Sequence, residues 1–182
     1  MHDALRELIT EFINNGSDPR SAVFAANEYA FHTGAYLEGG ERVREWIRRV
    51  NDLDAFLAGH GRLPRERGEH TSAAEAALAG WVRYQRRAAT RAQHCVYQQR
   101  RLELVPGFSW DPRRDAQLAH ERDYLEFFTG HGQAPSYRSA EAGERRLADW
   151  AAKRRMAARR GDLSAEEVER LRRVGITAPR RK

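Results

Sequence analysis

Two stretches of this chain carry the same unusual spacing of residues. Leu53-x-x-Phe56-x-x-x-His60-Gly61-x-x-Pro64 is matched by Tyr124-x-x-Phe127-x-x-x-His131-Gly132-x-x-Pro135 at an offset of 71. Leu78-x-x-Trp81-Val82 is matched by Leu147-x-x-Trp150-Ala151 at 69, and Val105-Pro106-Gly107-Phe108 corresponds to Arg173-Val174-Gly175-Ile176 at 68. So small a drift in offset points to a duplicated unit: a helix, an HG-x-x-P loop, a Trp-bearing helix, a short helix and a glycine turn. A chain of 182 residues holds one ordinary domain or two or three very small ones, and the repeat selects the small ones.

Apolar residues keep helical spacing from end to end. Leu5, Leu8, Ile9, Phe12 and Ile13 form one stripe, closed by Asn14-Asn15-Gly16. Asp18-Pro19 supplies an N-cap and a first-turn proline for a second helix to about His32. Val43, Trp46, Ile47, Val50, Leu53 and Leu57 carry a third, stopped at Gly59-His60-Gly61. Further helices are predicted over about 73–91, 95–104, 112–129 and 141–160, and a last one to Val174 opens on the capping box Ser164-Ala165-Glu166-Glu167. No stretch alternates as a strand does. The expected fold class is all-α: two tandem three-helix modules, residues 46–110 and 111–178, with a helical, acidic N-terminal extension over 1–45 and a basic tail over 179–182.

Composition narrows the function class. With 32% charged residues, 41% apolar ones and 17 aromatics, the chain is too apolar for a disordered polycation and too polar for a membrane protein. No apolar run approaches the ~18 residues of a membrane span. The segment Met1-His2-Asp3-Ala4-Leu5-Arg6-Glu7 lacks the basic-then-apolar pattern of a secretion signal, so a cytoplasmic location is expected. Cys95 is the single cysteine, which excludes an internal disulfide and a thiolate zinc cluster.

The net charge is +6, and 30 of the 32 basic residues are arginines. A coding bias toward arginine accounts for which basic residue is used but not for where the charge sits. Residues 1–48 sum to −3, residues 49–118 to +4 and residues 119–182 to +5. An acidic first quarter before a basic remainder suggests a partner contact and a polyanion contact.

The repeated motifs resemble the helicase-associated domain, a three-helix module found in tandem at the ends of some bacterial helicases. The first copy has His60-Gly61, Leu78-x-x-Trp81-x-x-x-Gln85-Arg86 and Gly107-Phe108-Ser109-Trp110. The second has His131-Gly132, Leu147-x-x-Trp150-x-x-x-Arg154-Arg155 and Gly161-Asp162-Leu163-Ser164. Each departs from the pattern: Ala92-Gln93-His94-Cys95 stands in the first where G-x-L-S belongs, and the second ends in Gly175-Ile176-Thr177-Ala178 without the closing aromatics. The resemblance covers about residues 46–178 and implies nucleic-acid binding. It does not imply helicase activity, because no G-x-x-x-x-G-K-[ST] phosphate loop occurs.

On a helical wheel Leu147, Trp150, Ala151 and Ala158 share one stripe, as do Leu78, Trp81, Val82 and Ala89, so the tryptophans read as core. Basic residues fill the rest. From Arg83 to Arg101 there are six and no acid; from Arg145 to Arg160 there are seven and one acid, Asp149. Such runs repel themselves unless a polyanion or distant carboxylates compensate. Arginine suits phosphate because its fork binds two oxygens. The candidate nucleic-acid-binding residues are therefore Arg83, Arg86, Arg87, Arg91, Arg146, Lys153, Arg154, Arg155, Arg159 and Arg160, with DNA favoured over RNA. Gln85 and Arg154, on the stripe's edge, must each bond a loop carbonyl or a ligand.

His60 and His131 stand at helix C-termini, where histidine bonds the last carbonyls, and neither has a second ligand at metal spacing. Cys95 reads as packing. No catalytic residue, metal site or cofactor is expected, and the chain reads as non-enzymatic. The alternative class is an accessory subunit of a larger nucleic-acid-processing or mobile-element complex, its acidic residues 1–45 meeting a protein partner.

Overall fold

The computed structural model describes residues 3–14, 18–35 and 39–176. Among them every regular element is an α-helix: α1 (Asp3–Asn14), α2 (Pro19–Thr33), α3 (Glu41–His60), α4 (Ala73–Gln85), α5 (Ala88–Arg91), α6 (Val96–Glu103), α7 (Pro112–His131), α8 (Ala142–Arg160) and α9 (Ala165–Arg173). The chain divides into two compact units, Met1–Trp110 and Asp111–Lys182. The expected stop at Asn15-Gly16, the close of the second module beyond Ile176 and the basic tail 179–182 lie outside the described residues.

In the first unit the sequence stripes meet in one core. Leu5, Leu8, Ile9 and Phe12 of α1 and Phe24 and Ala25 of α2 pack with Trp46, Ile47, Val50 and Leu53 of α3, Leu78 and Val82 of α4, and Tyr97 and Leu102 of α6. Each fully buried large apolar side chain stabilises the unit by about 1.5–3 kcal/mol. Residues of the expected N-terminal extension thus form part of this core and are not an appendage to it. Ring contacts fix the angles: Phe12 meets Tyr97 edge-on at 5.6 Å, and Phe24 meets Trp46 edge-on at 5.4 Å.

A polar cluster lies inside that core. Glu28 of α2 accepts from Tyr97 Oη at 2.9 Å, Arg101 Nε at 2.8 Å and Asn51 Nδ2 at 3.1 Å. Arg101 also bonds Asp54 of α3. Burial alone would raise the Glu28 carboxyl, but the His32 ring beside it and the bonds from Arg101 and Tyr97 hold it below the ordinary glutamate value. Ser21 adds a tie between helix starts: its Oγ accepts from Tyr97 N at 2.9 Å, while Asp18 caps α2 through the Arg20 and Ser21 amides.

The second unit is smaller inside. Tyr124, Ala151, Leu171 and Ile176 are its buried cluster, edged by Trp150, Leu163 and Val174. Ion pairs fill part of the space: Arg170 bonds Glu121 at 3.3 Å and Glu166 at 2.9 Å, and Gln117 donates to Glu121 at 3.0 Å.

Local geometry recurs at the matched positions. His60 Nδ1 lies 2.9 Å from Phe56 O with its ring stacked on Phe56, and His131 Nδ1 lies 2.9 Å from Phe127 O with its ring on Phe127. Gly61 and Gly132 follow at φ 65° and 66°, left-handed caps that glycine adopts without a Cβ clash. Glu75 accepts from Arg65 N at 2.9 Å and Glu144 from Ser136 N at 2.8 Å, each pinning the loop before its helix. Cys95 with Gln98 and Ser164 with Glu167 form capping boxes at the start of α6 and α9.

One helix is shorter than its spacing predicts. The expected helix over 73–91 ends at Gln85, and Arg87 turns extended before the short α5. The turn sets the Arg86 guanidinium on the Ser109 carbonyl (Nε–O 2.6 Å) and over the Phe108 ring at 5.1 Å. In the second unit Ile176 stands where Phe108 does and offers no ring, and α8 runs unbroken to Arg160.

Candidate nucleic-acid interface

The long basic helix is α8. Glu144 in its first turn suits the positive N-terminal end of the helix dipole, and Arg159 and Arg160 suit the opposite end. Gly161, at φ 78°, stops it, and Asp162 N returns to Ala157 O at 3.0 Å. Ala148 and Ala151 are its buried side. Leu147 and Trp150 are half-buried beside them, and Trp150 stacks on His120 at 5.6 Å.

The six candidate residues of α8 fall into two groups. Three are held by this chain's own carboxylates: Lys153 Nζ on Asp149 at 2.6 Å, Arg154 Nη2 on Glu167 at 3.1 Å and Arg160 Nε on Asp162 at 2.7 Å. Of these, only Arg154 is largely enclosed, and its Nε is buried without a partner. Exposed pairs such as those of Lys153 and Arg160 are worth at most about 1 kcal/mol, little enough for a phosphate to displace the carboxylate. Arg146, Arg155 and Arg159 have no ion pair among the described residues. Arg146, Lys153 and Arg160 recur every seventh position and form a strip along one side of the helix.

The first unit breaks up its arginines. Arg83 pairs with Glu66 at 2.9 Å. Arg86 is half-buried, and burial lowers its guanidinium from the ordinary arginine value. Arg87 lies over Tyr84 at 5.5 Å and Arg91 over Trp110 at 4.6 Å, neither bonded to a carboxylate among the described residues. Because α4 ends at Gln85, Arg83 and the stacked pair are carried on different elements.

Sequence reasoning missed the aromatic partners Tyr84 and Trp110, although Tyr84 and Arg87 stand three residues apart, a spacing that brings side chains together on one turn. It also missed Arg145, whose Nη1 donates to the Ser139 and Ala140 carbonyls and ties the loop to α8. Gln85 bonds neither a loop carbonyl nor an open position; its Oε1 accepts from Trp46 Nε1 at 3.2 Å and lies 2.8 Å from His94 Nε2. Arg154, at the matched position, bonds Glu167 on α9.

Among the described residues no group of three His, Cys, Asp or Glu side chains is placed to hold a metal ion, and no helix is long and apolar enough to cross a membrane. No family model matches the chain, and no curated protein or solved structure matches it.

Proposed function

We propose that this chain is a non-enzymatic, cytoplasmic nucleic-acid-binding protein that holds a phosphate backbone, DNA in preference to RNA, along α8. The carrying observation is the charge on that helix. Its basic run contains a single acid, Asp149, which is taken by Lys153, and Arg146, Arg155 and Arg159 have no carboxylate partner among the described residues. Arginine forks without internal partners on a net-positive helix suit phosphate oxygens and carry no sequence preference. In the first unit Arg87 and Arg91, stacked on Tyr84 and Trp110, are the secondary contact.

The reading includes two copies of a three-helix module, α3–α4–α6 and α7–α8–α9, in keeping with the helicase-associated resemblance. The paired His-Phe stacks, glycine caps, loop-pinning glutamates and capping boxes support it. Residues 1–45 as a protein-docking arm are the weaker reading, since α1 and α2 bury their apolar sides in the first core.

The test is a salt series of binding curves on mixed-sequence single- and double-stranded DNA and RNA. On duplex, log K falls by ~0.9 per phosphate contact per decade of salt. Arg146→Glu, Arg155→Glu and Arg159→Glu together abolish binding while helicity is kept. Affinity that is flat with salt, or a triple variant that binds as the wild type does, overturns the proposal.

A further inference from the structure

The first unit also carries a half-open groove of about 720 Å³, bounded by the first turn of α1, the C-terminal ends of α2 and α6 and the second half of α3. That volume lies within the roughly 300–1,000 Å³ range of small-molecule sites. Its walls are mainly apolar, with Phe31, Ala55, Ala58 and Leu104 among them. Its polar lining is His32, Asn51, Asp52, Asp54 and Arg101.

Arg101 and Asn51 already give donors to carboxylates. Arg101 gives Nε to Glu28 and Nη2 to Asp54. Asn51 gives Nδ2 to Glu28 and to the Ile47 carbonyl at 2.8 Å, and His32 Nε2 sits 3.8 Å from Glu28. Acceptors are left over. Asn51 is only 8% exposed and its amide oxygen has no donor among the described residues. The second oxygen of Asp54 and both oxygens of Asp52 are likewise open. Asp52 and Asp54 in the lining, with Glu28 behind Arg101, outnumber the one guanidinium, so carboxylates dominate the charge here.

A ligand complementary to this groove carries N–H donors and positive charge on an apolar body. We propose that the groove binds a small arylalkyl amine, its ring against Phe31 and Leu104 and its ammonium on Asp54 and the Asn51 oxygen, which stand three residues apart on α3, with Asp52 adding negative charge to the same lining. This is independent of phosphate contact along α8.

The experiment titrates the full chain with 2-phenylethylamine, following backbone amide shifts, with 2-phenylethanol and 3-phenylpropionate as size-matched controls. The amine gives saturable one-to-one binding, the alcohol binds about tenfold more weakly, and the carboxylate does not bind. Asp52→Asn weakens the amine about fivefold. Ala58→Phe fills the groove from an exposed helix position and removes binding with the melting temperature unchanged. Equal binding of amine and carboxylate, an Ala58→Phe variant that still binds, or no saturable shift overturns the proposal.

Discussion

Arg101 and Glu28 face each other at 2.8 Å with both side chains sealed from water, 73 residues apart in the chain. Removing one partner strands the other's charge in the core. Arg101→Met is therefore expected to destabilise the first unit by about 3–5 kcal/mol, and Glu28→Gln combined with it to recover much of that loss. Urea unfolding followed by tryptophan fluorescence measures both. If the double variant is as unstable as the single one, the pair is not the source of the cost.

Acidification acts on the same unit at two levels. His94 is pushed below its ordinary 6.5, first by burial and then by Arg20 and Arg91, so the unfolded chain takes up a proton more readily than the folded one. Stability is complete above about 6.5 and falls as the pH drops below it. Glu28 and Glu75, both held below 4.5, add a second loss as the pH falls under that value. His94→Gln removes the upper slope and leaves the lower one; unfolding midpoints from pH 7 to pH 3 separate them.

Two arginines of one sequence pattern should behave in opposite ways. Arg86→Ala loses a charged bond to Ser109 and the Phe108 contact, costing about 1–2 kcal/mol of stability with nucleic-acid affinity little changed. Arg159→Glu weakens binding and costs about 1 kcal/mol of stability at most, from the charge reversed at the C-terminal end of α8. Melting curves and gel shifts on the same preparations decide this, and a stable Arg86→Ala that fails to bind contradicts the assignment.

At the cap of α7, Gly132→Ala forces a Cβ into the left-handed region and costs about 1–2 kcal/mol. Ser164→Ala removes the α9 cap for about 1 kcal/mol. Thermal unfolding followed by far-UV circular dichroism reads both, and a shift of zero for Gly132→Ala refutes the strained-cap account.

Helix positions were legible because caps and stripes are local: Asp18-Pro19, Gly61, Gly132 and the Ser164 box all act within a turn or two of chain. The break at Gln85 was not legible, because its partners, Phe108 and the Ser109 carbonyl, lie more than twenty residues away. The Glu28–Arg101 pair was hidden for the same reason, as nothing near either residue marks it as buried. Within the candidate interface the sequence marked where cations cluster. It did not distinguish Arg154, tied to Glu167, from Arg155 beside it, because that depends on which side of α8 meets α9.

Because α8 rests on alanines, the second half of the chain has little of its own to resist warming. A polyanion lying along the helix would work as a splint. Residues 111–176 would then melt at a temperature set by ligand concentration, and a second, ligand-blind transition would belong to the better-filled half.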